Sequence, residues 1–442
     1  MDKKQQILNL VKEYIQEKRA AEKWHAGEDW LSYSGPVFDD KEYVAAIDSL
    51  LDEWLIFGEK SREFELKFSS HLGKRFGSLT NSGSSANLLA VSAAKANFNL
   101  NDGDKFITPV VCFPTTINPL VQCGLKPVFV DVTLPDLNLD LDQVEQTLQQ
   151  DSSIKGIMFA HVLGNPPDMD RVMRLVEEYN LVFIEDACDA LGSNYDGVKL
   201  GSYGHVSTCS FFPAHHMTMG EGGFVATNSG PLRKLVASFR DWGRGCYCNT
   251  AKPGCVTQSS ACGDRFQAWL PSLPDFTYDH RYVFERIGYN LKPLELQAAI
   301  GLQQIDKLPM LDEARRVNYK KLYEVFRPYE EYFHLPEPTE KADPNWFAFL
   351  LTIKQDAPFS RHKIVSWLES QKIQTRSYFS GNILYHPGYQ HMSSEYGDLR
   401  STFKNAHLVT TNSFFLGTFS GITDEKVKYI KDSVDKFFME LN

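Results

Sequence analysis

The segment Ser210-Phe211-Phe212-Pro213-Ala214-His215-His216-Met217-Thr218-Met219-Gly220-Glu221-Gly222-Gly223 decides how this chain is read. Its two adjacent histidines carry imidazoles, which take up or release a proton near neutral pH. Outward from this segment, short apolar runs alternate with helical stretches from about residue 75 to 230. Residues 106–108, 127–131, 156–160 and 181–186 read as buried strands, and 84–97, 115–123, 140–149 and 168–180 as helices. That alternation is the mark of βαβ units, and so of an α/β fold with a mostly parallel sheet.

The flanks are less regular. Residues 7–30 carry Ile7, Leu10, Val11, Tyr14 and Ile15 at helical spacing, and 40–72 also have a helical pattern. Residues 243–282 are rich in Cys, Gly, Pro and Ser and read as an insertion. A helix follows at about 293–328, then a strand near 347–353 and helices near 361–371 and 424–440. The expected division is a helical segment 1–40, a large domain 41–310 and a smaller α+β domain 311–442. Hydrophobic residues make up 43% and charged residues 23%, ordinary for a globular protein. A net charge of −10 argues against nucleic acid as a partner. No apolar run approaches a membrane span, and the start Met1-Asp2-Lys3-Lys4 lacks a signal-peptide core, so the expected compartment is the cytoplasm. There the eight cysteines need a reason other than disulfides.

Asp186 ends an apolar run, and ligands of open α/β sheets bind beyond strand carboxyl ends. Taken alone it reads rather as an exposed strand-end aspartate. Ser82-Gly83-Ser84-Ser85-Ala86-Asn87 precedes a helical pattern. Small residues there let backbone N–H groups reach a phosphate, although an ordinary helix cap looks the same. Phe113, in Cys112-Phe113-Pro114-Thr115-Thr116, could be a core residue. Together with Ser210 and Gly288-Tyr289-Asn290-Leu291, and in this order, these motifs resemble those of the DegT/DnrJ/EryC1/StrS sugar aminotransferases.

The resemblance implies the aspartate-aminotransferase fold of pyridoxal-phosphate enzymes. It also implies roles. Asp186 would pair with the pyridine nitrogen, Phe113 would stack on the ring, and Gly83, Ser84, Ser85 and Ser210 would hold the phosphate. Asp189 stands where the family has glutamine, beside the ring hydroxyl. Asn290 would reach the partner's cofactor in a homodimer. His215 stands where the family has the lysine that binds the cofactor covalently. Histidine cannot form that imine, so the resemblance implies pyridoxamine phosphate held non-covalently, with His215 as the base and His216 as rival or support.

Cys246-Tyr247-Cys248, Cys255 and Cys262 crowd together, and 57 residues lie between Cys188 and Cys246. Such density suggests soft-metal ligation, with a zinc site or free thiols as the alternatives. The pattern, with Asp241-Trp242-Gly243-Arg244 before it and Asp264-Arg265-Phe266 after it, resembles the iron–sulfur CDP-4-keto-6-deoxy-D-glucose 3-dehydrases. This implies a [2Fe–2S] cluster on Cys188, Cys246, Cys248 and Cys262. Thirteen residues separate Cys248 from Cys262, more than in the family, and Cys255 could replace Cys262.

The expected reaction is C3 deoxygenation of a nucleotide-linked 4-keto-6-deoxyhexose. The amine of the cofactor would condense with the C4 ketone, and the C3 hydroxyl would leave as water. Electrons would come from a separate flavin–iron–sulfur reductase, because the chain has no G-x-G-x-x-G fingerprint. Arg376 and Asn382, in Arg376-Ser377-Tyr378-Phe379-Ser380-Gly381-Asn382-Ile383, resemble the family's substrate-facing segment. Arg376 would pair with the diphosphate, or form only a surface ion pair. His161 and Asn165 follow a strand and could line the sugar pocket. The competing readings are a cluster-free dehydrase, an ordinary sugar aminotransferase and a non-catalytic binding protein.

Overall fold

The computed structural model describes residues 2–245 and 265–441. The large sheet has seven strands: β1 (Phe76–Thr80), β2 (Lys105–Pro109), β3 (Lys126–Val130), β4 (Ile154–Ala160), β5 (Val182–Asp186), β6 (Val206–Ser210) and β7 (Gly223–Thr227). Their order across the sheet is β1-β7-β6-β5-β4-β2-β3. Pairing is parallel except at β7, which runs antiparallel to β1 and β6. The fold expected from the alternation is therefore present. The segment 210–223 is the connection from β6 to β7 and closes on the pair Ser210↔Gly223.

Both faces of the sheet are covered, so its strands read as continuous apolar runs rather than alternating ones. Phe106 and Ile184 pack on one face, against α4 (Gly83–Asn97) with its Ala86, Leu89, Ala90 and Ala93. Their neighbours Ile107 and Phe183 pack on the other, with Val144 and Val172 of α6 (Leu141–Gln150) and α7 (Met169–Glu178). One-residue steps that switch faces are what a strand's period of two requires. Short α5 (Pro114–Gln122) follows β2, and α8 (Gly230–Arg240) follows β7.

Two expectations are corrected near the N-terminus. The helix expected over 7–30 is α1 (Lys3–Ala21); beyond it the chain is extended, turns at Gly27 with φ +79°, and tucks Trp24 against Tyr429. The stretch 40–72 is two helices, α2 (Asp40–Leu51) and α3 (Glu59–Leu72). The break is fixed at Gly58, where a Cβ would lie 2.8 Å from the Glu295 carboxylate. That buried carboxylate accepts N–H bonds from Gly58 (2.7 Å) and Lys60 (2.6 Å) at the start of α3.

The long α9 (Glu295–Phe326) leads to a second, four-stranded sheet: β8 (Phe333–His334), β9 (Ala348–Ile353), β10 (Arg376–Ser377) and β11 (Ser413–Gly417), in the order β8-β9-β11-β10. It carries α10 (Arg361–Ser370), α11 (Lys404–Asn412) and α12 (Asp424–Leu441). Among the described residues, no helix is long and apolar enough to cross a membrane.

Candidate active site

Three neighbouring parallel strands end side by side, β4 at Ala160, β5 at Asp186 and β6 at Ser210. All three terminal residues line a cleft of 660 Å³, which the small sheet closes with Arg376, Ser377, Tyr378, Phe379 and Phe415. The location is the one expected for a ligand of such a sheet.

Asp186 is 3% exposed. Its Oδ2 accepts from Asn87 Nδ2 (2.8 Å) and Thr116 Oγ1 (2.9 Å), and its Oδ1 from the Cys188 N–H (3.1 Å). Asn87 is oriented in turn, accepting from Thr208 Oγ1 at 2.5 Å. Asn87 and Thr116 are functional residues that the sequence reading passed over. The available signal was Asn87 itself, an amide on the apolar face of α4.

Beside Asp186 the start of α4 meets the end of β6. Ser82 caps the helix by accepting from the Ser85 N–H at 3.1 Å. A Cβ on Gly83 would lie 2.5 Å from Ser210 Cβ, and one on Gly223 would lie 2.1 Å from the Ser82 carbonyl oxygen. These glycines make a hollow of backbone N–H groups at a helix N-terminus, suited to an anion. Gly83, Ser84 and Ser210 line it, whereas Ser85 turns its hydroxyl to Ser82 Oγ at 3.0 Å. Phe113 stands in the cleft wall, half exposed, with Phe379 edge-on at 6.0 Å.

His215 also lines the cleft. Burial, with the Arg315 guanidinium nearby, pushes its pKa down to about 3. Its Nδ1 lies 3.5 Å from Asp189 Oδ1. Burial, together with the neighbouring Asp186, raises the Asp189 carboxyl well above the usual range. Burial thus disfavours charge on both of these neighbours. Arg315 of α9, unanticipated from the sequence, fixes this loop. Its Nη2 donates to the carbonyls of His215 (3.1 Å) and Ala214 (3.4 Å), and its Nη1 to that of Phe347 (2.9 Å).

Four expected pocket residues lie elsewhere. His161 is fully buried with Nε2 3.0 Å from Glu185 Oε1. Ala160 faces the cleft, so its successor points to the far side, as alternation along an extended chain demands. Asn165 donates to the Glu337 carbonyl (3.0 Å) and accepts from the Thr339 N–H (2.9 Å). His216 turns inward, its Nε2 2.7 Å from the Asn345 carbonyl. Asn382 is buried and accepts from the Leu384 N–H at 2.9 Å. The last three hold backbone in place, whereas His161 holds the buried Glu185 carboxylate. Asn290 is exposed, bridged to Asp241, and does not line its own chain's cleft.

Cys188 lines the cleft two residues from Asp186, its thiol pushed up by burial and by that carboxylate. Cys246, Cys248, Cys255 and Cys262 lie outside the described residues. Among the described residues, no group of three or more His, Cys, Asp or Glu side chains could hold a metal ion.

Comparison with known proteins agrees with this geometry. The lipopolysaccharide biosynthesis protein RfbH of Salmonella typhimurium is 40% identical over 98% of each chain. A dTDP-4-dehydro-2,6-dideoxy-D-glucose 3-dehydratase of Saccharopolyspora spinosa is also 40% identical, over 99% of this chain and 92% of its own. The structure of an E. coli GDP-4-keto-6-deoxy-D-mannose-3-dehydratase with bound hydrated PLP superposes with a TM-score of 0.77 at 27% identity, covering 92% of this chain and 99% of that one. Residues 37–435 match the model of the DegT/DnrJ/EryC1/StrS aminotransferase family, and the chain belongs to that family.

Proposed function

We propose that this protein is a pyridoxamine-phosphate-dependent 3-dehydrase of a nucleotide-linked 4-keto-6-deoxyhexose. The observation that carries the reading is His215 in the wall of a cleft floored by Asp186, with no lysine among the described lining residues. The residues fit the cofactor. A carboxylate held by three donors suits a protonated pyridine nitrogen. The hollow that a Cβ on Gly83 would fill suits a phosphate. The half-exposed Phe113 suits a ring face.

Pyridoxamine phosphate, when bound, supplies an amine that condenses with a ketone and a ring that withdraws electrons. The chain's own residues do the rest. Asp186 keeps the proton on the ring nitrogen. Gly83, Ser84 and Ser210 bind the phosphate. His215, in the cleft wall, would take the proton from the cofactor's C4′ carbon. Arg376 faces the substrate's diphosphate.

The cysteines extend the proposal. Cys188, Cys246, Cys248 and Cys262, with Cys255 as substitute for the last, would hold a [2Fe–2S] cluster, which supplies single-electron transfer from a separate flavin–iron–sulfur reductase. In support, Cys188 sits in the cleft wall beside Asp186. The proposed substrate is CDP-4-keto-6-deoxy-D-glucose, on the way to a 3,6-dideoxysugar of the lipopolysaccharide O-antigen. The proposed setting is a cytoplasmic homodimer, divided at residues 40 and 310.

The test is the visible spectrum of anaerobically purified protein before and after dithionite, followed by incubation with pyridoxamine phosphate and the substrate. Sulfur-to-iron bands that bleach, with loss of the C3 hydroxyl on adding a reductase, are expected. A colourless protein that still dehydrates the sugar would leave the dehydrase and remove the cluster. Transfer of an amino group to C4 would remove the dehydrase.

A further inference from the structure

The segment 22–37, between α1 and α2, lies along the small sheet. Leu31 bridges Ile373 in parallel, donating its N–H to the Lys372 carbonyl (2.8 Å) and accepting from the Gln374 N–H (3.0 Å). Two residues on, the chain passes over Gly417, where a Cβ would lie 1.8 Å from the Tyr33 carbonyl oxygen. Glycine at 417 is what admits the segment. The Tyr33 N–H donates to Gln374 Oε1 at 3.3 Å, and its ring stands edge-on to Phe415 at 5.8 Å. So fixed, the tyrosine lines the cleft.

The Arg376 guanidinium lies 4.4 Å over the Tyr33 ring. Its Nη1 donates to the Thr375 carbonyl at 2.7 Å. Thr375 is itself anchored, giving its N–H (2.6 Å) and hydroxyl (2.8 Å) to Glu369 Oε1. A ring and a carbonyl do not neutralise the charge on Arg376. One face of the guanidinium is covered by the ring, which leaves the edge as its remaining donor surface. That planar edge matches a phosphate oxygen pair. The hollow at Gly83 and Ser210 accounts for one anion in the cleft, so the Arg376 edge calls for a second.

We propose that Tyr33 is a positioning residue of the substrate site: it holds Arg376 flat so that the guanidinium edge takes the diphosphate of the nucleotide-linked sugar. The segment 22–37 is then part of the active site. This rests on the reading of the protein as a nucleotide-sugar enzyme. Tyr33 precedes residues 37–435, the span matched by the family model, so that match assigns it nothing.

The test titrates CDP, dTDP and GDP into the pyridoxamine-phosphate-loaded parent, Tyr33→Leu, Arg376→Ala and the double variant, and measures KM and kcat with the nucleotide sugar. Arg376→Ala is expected to weaken the best-bound nucleotide about tenfold or more. Tyr33→Leu is expected to weaken it about three- to thirtyfold, the range of a partly desolvated cation–π contact. The double variant should match Arg376→Ala within about twofold, since the two act as one unit. KM should rise with kcat nearly unchanged, and cofactor affinity should stay at the parent's value. Parent-like binding by Tyr33→Leu, or losses that add, would overturn the proposal. If Tyr33→Leu does not fold, Arg376→Lys carries the test. It keeps the charge without the planar face, and parent-like affinity in it overturns the proposal too. A parent that binds no nucleoside diphosphate overturns the nucleotide-sugar reading itself, an outcome distinct from tight binding that ignores Tyr33.

Discussion

At the scale of single residues, the site divides into groups that would touch the cofactor and groups that aim them. His215→Asn removes a base while keeping a polar side chain of similar reach. The expected result is a fall in dehydration of about a hundredfold or more with pyridoxamine phosphate binding held within about threefold, read by turnover and equilibrium dialysis. Unchanged turnover would move the base elsewhere. Asn87→Ala tests the aiming. It strips one of two donors from Asp186 Oδ2 and leaves Thr208 Oγ1 without its acceptor. A hydrogen bond to a charged group contributes about 1.5–3 kcal/mol, so cofactor affinity should drop about tenfold or more. What the sequence made legible follows the same division. Asp186, Ser210, Gly83 and His215 sit in local motifs, each with a chemistry readable from a few neighbours. Asn87, Thr116 and Arg315 act across 99, 70 and 100 positions of chain, where no motif links the partners. His161 was misplaced for a simpler reason. The rule that places ligands after a strand says nothing of which face a residue takes, and Ala160 takes the cleft.

At the scale of elements, α9 joins the site to the small sheet, and it carries a buried acid. Asp312 accepts from Asn345 Nδ2 at 2.6 Å, and Asn345 offers its carbonyl to His216. Burial raises the Asp312 carboxyl to about 6, with Arg316, the Asn345 bond, Arg315 and Lys199 opposing the rise. Its folded pKa lies above its unfolded value, near 4. The protonated form therefore contributes stability that is complete below about pH 4 and is lost as pH rises through about 6. Asp312→Asn keeps the shape and removes the titration. Its stability relative to the parent should rise from pH 4 to pH 8 by up to about 3 kcal/mol, measured by denaturant unfolding at both. A difference independent of pH would mean that the carboxyl titrates normally. The break between α2 and α3 shows why element boundaries resist reading. Both halves keep helical periodicity, and the restart at Gly58 is set by Glu295, 237 positions away. The strands, by contrast, were legible because burial on both faces left apolar runs of the right length.

At the scale of the whole molecule, one surface lacks the polar cover expected of a monomer. Ile56 bridges Leu294 in antiparallel pairing, and the Leu55 carbonyl accepts the Glu295 N–H at 3.0 Å, so two chain segments form one rib. Along it Leu55, Ile56, Leu294 and Ile287 are 51%, 57%, 49% and 95% exposed. Trp54 and Trp242 are exposed as well. Exposed apolar residues gathered on paired segments mark a contact surface more than scattered single ones do. Asn290 stands on the same rib, between Ile287 and Leu294. If two copies meet there, the residue absent from its own cleft is carried toward the other copy's, as the proposed homodimer requires. Ile56→Asp places a charge on the rib, which is costly to bury unpaired. Sedimentation should then change from twice the 50.3 kDa of the chain to a single chain, with cofactor affinity falling alongside. A variant that remains dimeric would place the interface elsewhere. A monomer that holds its cofactor as tightly as the parent would show that Asn290 does not reach across.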